Sequence, residues 1–290
     1  MKPPPFEYHA VASVEEAVAL LAEHGEDAKV LAGGQSLVPL LALRLARPAH
    51  LVDINTVSDL ASLSNGDGLT VGSLVRQRVA ERSQAVRSAN PLVAQAIALI
   101  GHTAIRNRGT IGGSIAHADP AAELPAVLLA LDGEVVARSA RGERTVPAAD
   151  FFRGFLTTAL TPDELVTGVR FPAWGPGTGW SFQEFSRRSG DFAIAGAAAA
   201  LRLDRNGVVA DARIALSGMG ATPVRATKAE AALAGQQPSE EVWAAASQDA
   251  VAGLDPPSDV HGTAAYRRHL AAALTRRALR EAHARSEVRS

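Results

Sequence analysis

A stretch rich in proline and glycine, residues 172–179, limits what this chain can fold into more than any other feature. Proline and glycine continue neither a helix nor a strand well, so regular structure must stop here and start again. Strand-like and helix-like segments alternate before this stretch, whereas three strand-like segments and then helical ones follow it. The sequence therefore predicts two domains, residues 1–177 and 178–290, and an α+β fold. The second domain is expected to contain a three-stranded antiparallel sheet and helices.

The opening residues, 1–56, predict the order strand, helix, strand, helix, strand. Ser13 and Glu16 have the spacing of a capping box at the start of the first helix, and Gly25 stands where that helix should end. Short apolar runs indicate buried strands on either side of the second helix. The remaining expectations in the first domain are strands at 29–32, 51–54, 69–72, 134–139 and 164–171, and helices at 36–45, 75–82 and 91–100.

Residues 101–120 show neither a helical nor a strand period and are rich in Gly, His, Asn, Arg and Thr. We expect an irregular loop here. A loop of this length inside a compact domain usually has a function, and the mixture of glycine with apolar residues favours that interpretation over disorder.

Composition excludes several classes of protein. The 29 Lys and Arg residues are balanced by 30 Asp and Glu residues, so no basic excess indicates nucleic acid as a partner. The sequence has no cysteine, which excludes disulfides, thiolate-bound iron–sulfur clusters and cysteine-based zinc sites within this chain. No apolar run approaches the ~18 residues of a membrane span. We therefore expect a cytoplasmic protein with no integral membrane segment.

The common catalytic motifs are also absent from the sequence. There is no Gly-x-Gly-x-x-Gly fingerprint after a strand, no phosphate-binding loop ending in Gly-Lys-Ser/Thr, no nucleophile elbow and no His-Glu-x-x-His metal motif. We predict neither a catalytic residue nor a metal ligand in this chain.

Two glycine pairs remain as candidate binding elements. Gly33-Gly34 follows a predicted strand, and Gly112-Gly113 lies in the long loop between Thr110 and Ser114. Glycine lets the backbone approach a ligand closely, and successive N–H groups can converge on an anion. Two such loops can clamp the two phosphates of a dinucleotide. On residue types alone, two ordinary tight turns explain the pattern equally well.

The amino-acid sequences of both loops resemble those of a known family. Residues 32–37 (AGGQSL) and 110–114 (TIGGS), followed by 118–120 (ADP) and 123–125 (ELP), resemble the FAD-binding medium subunit of the xanthine dehydrogenase and aerobic carbon monoxide dehydrogenase family. The resemblance covers essentially the whole chain. Further matching stretches are 43–48 (LRLARP), 51–54 (LVDI) and 187–193 (RRSGDFA).

This resemblance implies both a fold and an assembly. The fold is a PCMH-type FAD-binding domain, of the vanillyl-alcohol-oxidase and MurB-like kind, with two α+β subdomains at about 1–56 and 57–177. A smaller domain like the C-terminal domain of carbon monoxide dehydrogenase flavoproteins follows. The implied partners are a large subunit with molybdopterin and a small subunit with two [2Fe–2S] clusters, arranged as a dimer of heterotrimers. Electrons would pass from those clusters through FAD to NAD⁺, dioxygen or a quinone-type acceptor.

The resemblance also implies the residues that bind FAD. One loop would line the pyrophosphate and ribityl chain through its N–H groups, and the other would hold the opposite side of the diphosphate. Ile100 would pack near the adenine, Glu123 would bond the adenosine part, and the backbone of Val166 would meet the isoalloxazine. Asp119 either touches the cofactor or starts a turn. The complete set is Leu31, Ala32, Gly33, Gly34, Gln35, Ser36, Leu37, Val38, Ile100, Thr110, Ile111, Gly112, Gly113, Ser114, Asp119, Glu123, Val166 and Phe192.

Two positions depart from the family pattern. Phe192 stands where a Tyr is usual and can stack on a flavin but cannot hydrogen-bond it. Glu184 stands where Lys is frequent, which changes the charge near the flavin and hence its potential.

Other polar residues of the long loop allow two interpretations each. His102 and His117 either have a structural role or transfer protons to the flavin, and the structural role is favoured. Arg106 and Arg108 either neutralise the diphosphate or face the iron–sulfur subunit. Two alternatives to the family function stay open: a stand-alone flavin oxidoreductase of MurB or vanillyl-alcohol-oxidase type, and an assembly module that has lost FAD.

Overall fold

The computed structural model describes residues 2–287, and residues 2–56 form the predicted alternation of strands and helices. Ser13 Oγ accepts from the N–H of Glu16, while the Glu16 carboxylate accepts from the N–H of Ala12. Gly25 ends the helix with φ +51°. The elements are β1 (Glu7–Ala10), α1 (Val14–His24), β2 (Ala28–Leu31), α2 (Leu37–Ala42) and β3 (His50–Asp53). Because helices connect the strands, the sheet is parallel, in the order β1-β3-β2.

The second subdomain is built on a five-stranded antiparallel sheet in the order β4-β5-β10-β6-β7. Its apolar face and the helices packed on it share one large core. The strands are β4 (Leu63–Gly66), β5 (Gly68–Gly72), β6 (Glu134–Ser139), β7 (Gly142–Pro147) and β10 (Leu165–Pro172). The helices are α3 (Gln77–Arg82), α4 (Gln84–Ala89), α5 (Pro91–Leu99), α8 (Glu123–Ala130) and α9 (Ala148–Phe151), and a small hairpin pairs β8 (Phe152–Gly154) with β9 (Thr157–Thr158).

The expectation of an irregular loop at 101–120 was wrong. This segment contains two short helices, α6 (Thr103–Arg108) and α7 (Ile111–His117). Thr110 caps α7, because its Oγ1 accepts from the N–H of Gly113. Helices of six or seven residues are too short to show an apolar period, and the glycine pair of α7 weakens it further. Their stability comes from tertiary contacts instead.

The C-terminal domain is an antiparallel sheet with helices, as predicted, but the sheet has four strands rather than three. The extra strand has only two residues, too few for a sequence pattern. The elements are β11 (Thr178–Phe185), β12 (Ala195–Leu203), β13 (Val209–Ser217), β14 (Val224–Arg225), α10 (Thr227–Leu233), α11 (Glu240–Val251) and α12 (Ala264–Glu287).

The C-terminal sheet is covered on both faces. One face carries Ala198 and Ala200 into the core that contains α8, and the other packs beneath α10, α11 and α12. This arrangement places the end of β11 near the start of α8. Within residues 2–287, no helix combines the length and apolarity needed to cross a bilayer.

Candidate functional site

The two glycine pairs, far apart in sequence, lie against each other. A Cβ atom at Gly33 would stand 2.5 Å from the carbonyl oxygen of Arg108 and 2.8 Å from Gly109 Cα, so only glycine fits there. A Cβ atom at Gly113 would in turn stand 3.8 Å from the Cβ of Ala32. The structure therefore brings together the two segments that a dinucleotide clamp requires.

Side chains from both subdomains hold this contact in place. Asn55 Nδ2 donates to the carbonyl oxygen of Ala32 at 2.9 Å, and Arg76 Nη2 donates to Asn55 Oδ1 at 2.6 Å. Arg76 Nη1 then donates to the carbonyl oxygen of Arg108 at 2.5 Å. These three hydrogen bonds, called the Asn55–Arg76 bridge below, connect the first glycine segment (residues 31–38) to Arg108, just before the second glycine segment (residues 110–114).

Sequence reasoning missed both residues of the bridge. A signal existed for Asn55, because β2 and β3 are parallel neighbours with Leu31 opposite Asp53. The residues that follow the two strands must therefore lie side by side. Arg76 gave no signal, since it follows a strand and begins a short helix like many surface arginines.

The first glycine segment presents its backbone donors to a ligand. Among the described residues, the N–H groups of Gly33, Gly34, Gln35 and Ser36 have no hydrogen-bond partner. Gly34 has φ +72°, a left-handed conformation that lets neighbouring N–H groups turn to the same side. The Gln35 side chain folds back and donates to the carbonyl oxygen of Gly33. A run of four unused donors is suited to an anion.

The second glycine segment uses its backbone donors for the fold. Ile111 N–H donates to Val75 O, Gly112 N–H to Ser73 O and Gly113 N–H to Thr110 Oγ1, all at 3.0–3.1 Å. A Cβ at Gly112 would stand 2.6 Å from Ser73 Cα. This pair therefore serves mainly in packing. A ligand could still approach the backbone closely at Gly113 and bond the half-buried Ser114 hydroxyl.

Two carboxyl groups, one buried and one half-buried, lie close enough to repel each other where β11 meets the start of α8. Burial and the neighbouring Glu184 carboxylate raise the pKa of Glu123, which is 5% exposed at the start of α8, to about 8. Burial raises the pKa of Glu184, on β11, to about 7, and its Oε2 has no hydrogen-bond partner in residues 2–287. Two acids that are costly to ionise are suited to accept hydrogen bonds from a ligand with hydroxyl groups.

The remaining predicted residues are dispersed around this centre. Val166 is buried in β10 at a register shift, and Ile100 is half-buried at the end of α5. Phe192 is 58% exposed. Asp119 Oδ1 accepts from the N–H of Ala121 at 2.9 Å, which is the turn-forming role predicted as its alternative.

The loop before Phe192 packs on α6 of the first domain. At Gly190, whose φ is +89°, a Cβ atom would overlap the ring of His102. His102 thus supports the loop that carries Phe192, a structural role. His117 is half-buried, and burial lowers its pKa.

The two arginines of α6 differ in their surroundings. Arg106 is buried and bonds Glu81 at 2.9 Å and the carbonyl oxygens of Ile100 and Gly101, so it is structural. Arg108 has an exposed side chain next to Asp53 and Arg76. Of the two, only Arg108 can offer positive charge to a ligand.

Comparison with known proteins gives matches over the whole described fold. Residues 4–174 match the family described as FAD binding domain in molybdopterin dehydrogenase, and residues 180–282 match the CO dehydrogenase flavoprotein C-terminal domain. The chain is 47% identical to the 6-hydroxypseudooxynicotine dehydrogenase complex subunit alpha of Paenarthrobacter nicotinovorans, over 97% of this chain and 96% of that one. It is 41% identical to the carbon monoxide dehydrogenase medium chain of Hydrogenophaga pseudoflava, over 98% and 99% of the two chains.

Solved structures agree with these relatives. The carbon monoxide dehydrogenase of Hydrogenophaga pseudoflava that lacks the Mo-pyranopterin moiety has a chain that superposes with a TM-score of 0.95 at 43% identity, covering 98% of this chain and 99% of that one. The quinoline 2-oxidoreductase of Pseudomonas putida 86 gives 0.93 at 39% identity, with the same coverage of both chains. The predicted α+β fold is thereby confirmed.

Proposed function

Because the chain belongs to the FAD-binding medium subunits of the molybdenum hydroxylase family, we propose that residues 31–38 and 110–114 hold FAD between an iron–sulfur partner and an external electron acceptor. The observation that carries this proposal is the run of four unused N–H donors at Gly33–Ser36, pressed against the second glycine segment. These donors match the negative charge of a diphosphate.

Each part of the site has a separate task in this proposal. The N–H groups of the first segment bind the diphosphate, and the Ser114 hydroxyl binds it from the other side. The exposed guanidinium of Arg108 adds positive charge nearby. Glu123 accepts hydrogen bonds from hydroxyls of the adenosine half, and Val166 and Ile100 form apolar walls. Phe192 covers the cofactor from the C-terminal domain.

When bound, FAD supplies the electron-transfer chemistry, because it can take up electrons singly and pass them on. The protein residues position it, exclude water from its polar half and set the local charge. No side chain needs to act as a nucleophile or base. Burial raises the pKa of Glu184 to about 7, so its negative charge near the cofactor is reduced but not abolished at neutral pH.

We further propose the partners. Iron–sulfur clusters need thiolate ligands, and this chain has no cysteine, so the clusters must lie on another subunit. A large molybdopterin subunit and a small subunit with two [2Fe–2S] clusters complete the enzyme, as a cytoplasmic dimer of heterotrimers. The relatives are named for carbon monoxide, caffeine, nicotine and glyceraldehyde. Such different substrates on similar medium chains support substrate binding elsewhere.

Purification of the protein from its native host tests the proposal. We expect a flavin absorption spectrum, two further polypeptides, and stoichiometric molybdenum and iron by elemental analysis. A colourless chain, or a flavoprotein that turns over substrate without other subunits, would contradict it. The second result would instead support the stand-alone oxidoreductase considered above.

A further inference from the structure

Three histidines from three different elements meet at the start of the parallel sheet. His9 lies on β1, His24 is the last residue of α1 and His50 begins β3. One ring nitrogen from each lies within 4.8 Å of the others. All three rings are half-buried, and the cluster shares no residue with the proposed FAD site.

The hydrogen bonding of this histidine cluster is incomplete. His9 Nε2 and His50 Nδ1 are 3.1 Å apart and share one hydrogen bond, and the Glu7 carboxylate lies 3.6 Å from His50 Nδ1. Neither ring nitrogen of His24 has a hydrogen-bond partner in the part of the chain described. Half-buried imidazoles with unused lone pairs are the commonest ligands of transition metals in proteins.

We propose that His9, His24 and His50 form a binding site for one divalent transition-metal cation, with Zn²⁺ as the best match. Zinc prefers imidazole and carboxylate donors in a tetrahedral set, so Glu7 or a water completes the coordination. The cation would also lie at the carboxyl end of α1, where the helix dipole favours positive charge.

Metal binding would require the imidazole rings to move closer together and one of them to reorient. Zn–N bonds of about 2.0 Å place ligand nitrogens roughly 3.3 Å apart in a tetrahedron, so the cluster must contract slightly. The rings of His24 and His50 stack with centroids 3.7 Å apart and planes 8° from parallel. A single cation cannot lie in both planes, so one ring must tilt. His24 is the ring expected to tilt, because within the described residues it would give up stacking but no hydrogen bond.

The site would tie β1, α1 and β3 together at the end of the sheet opposite to the glycine segment. His50 pairs with Glu7 and Ala28 at the beginning of the strands, whereas Gly33 follows the end of β2. Zinc is therefore expected to stabilise the first subdomain and to leave FAD content unchanged. The proposal thus stands independently of the FAD assignment.

A zinc titration of the full-length chain, prepared without a histidine tag, tests this inference. We expect one Zn²⁺ per chain, measured by elemental analysis after equilibration with a competing chelator, and a higher melting temperature with Zn²⁺ present. His24→Asn and His50→Asn should each weaken the affinity at least tenfold. His269→Asn, which removes an exposed histidine of α12, is the matched control and should bind as the unaltered chain does.

Failure of the unaltered chain to retain zinc would overturn the proposal. Retention of equal affinity in His24→Asn would overturn it as well. If His50→Asn does not fold, His24→Asn decides, since the His24 side chain makes no hydrogen bond to any residue from 2 to 287. FAD content, measured in the same samples, is expected to be equal in all of them.

Discussion

Gly33-Gly34 and Gly112-Gly113 have the same residue pattern and opposite roles. The first pair leaves its N–H groups unused and takes a left-handed conformation at Gly34. The second pair lies in a helix, and its N–H groups donate to Ser73 and Thr110. Gly112 must be glycine because Ser73 leaves no room for a side chain there. A glycine pair therefore indicates close approach, but only the structure shows whether a ligand or the protein approaches.

The largest effect is expected at Gly112. Gly112→Ala should lower the free energy of unfolding by about 3 kcal/mol, because the new Cβ overlaps Ser73 in a packed region. Alanine favours a helix over glycine by about 1 kcal/mol, so any loss reports packing alone. Urea unfolding measures it, with Gly175→Ala as control, since no atom lies within 4 Å of a Cβ there. Unchanged stability would mean that Gly112 is not needed for packing, so the second pair would no longer differ from the first in its role.

Gly34→Ala should act on binding instead. Alanine at φ +72° costs about 1–2 kcal/mol and turns the N–H groups away from their common direction, so FAD affinity should fall more than tenfold. Gly207→Ala is the matched control, because φ is +75° there, no atom lies within 4 Å of a Cβ, and the residue lies in the turn between β12 and β13. It should lose comparable stability and no affinity, as read by flavin fluorescence during titration. Equal affinity losses in both variants would show that backbone strain, not the anion site, governs binding.

The buried carboxyl group of Glu123 makes the stability of the folded chain depend on pH. Its pKa of about 8 in the folded chain lies above the unfolded value near 4.5, so its contribution to stability is complete below about pH 4.5 and is lost as pH rises to 8. FAD-free protein should therefore unfold more easily at pH 8 than at pH 5. In urea titrations, Glu123→Gln should reduce the decrease in the free energy of unfolding between pH 5 and pH 8. Identical pH profiles for the two proteins would contradict the raised pKa of Glu123.

The smallest effect is expected within the second segment. Ser114→Ala removes its free hydroxyl and should weaken FAD binding about threefold to tenfold, the worth of one hydrogen bond. Thr110→Ala removes the helix cap and should instead cost about 1 kcal/mol of stability. Paired titrations of flavin and denaturant separate the two. The opposite assignment of effects would mean that Thr110, not Ser114, faces the diphosphate.

Much of the fold could be predicted because its signals are local. The capping box at Ser13, the stop at Gly25 and the break after Pro172 are each fixed by a few neighbouring residues, and the structure confirms the first two and ends β10 at Pro172. The helices α6 and α7 were missed because each has only six or seven residues, and the glycine pair of α7 hides any apolar period there. The support of α7 comes from Ser73 and Val75, which are distant in sequence.

The site repeats this pattern: features fixed by neighbouring residues could be predicted, and contacts between distant residues could not. The glycine pairs are visible in the sequence, but their different hydrogen bonding depends on which strand end lies opposite each of them. The proximity of Glu123 to Glu184 arises because β11 of the second domain reaches the start of α8. Neither carboxylate carries any sequence mark of burial, since glutamate is a surface residue by default.

The Asn55–Arg76 bridge makes the link between the two glycine segments depend on a single side chain. Asn55 belongs to the first subdomain and Arg76 to the second, so their hydrogen bonds join the two subdomains beside the glycine pairs. The one guanidinium of Arg76 donates both to Asn55 Oδ1 and to the carbonyl oxygen of Arg108. A change at this residue would therefore loosen both segments at once, since Asn55 Oδ1 and the Arg108 carbonyl oxygen would each lose this donor.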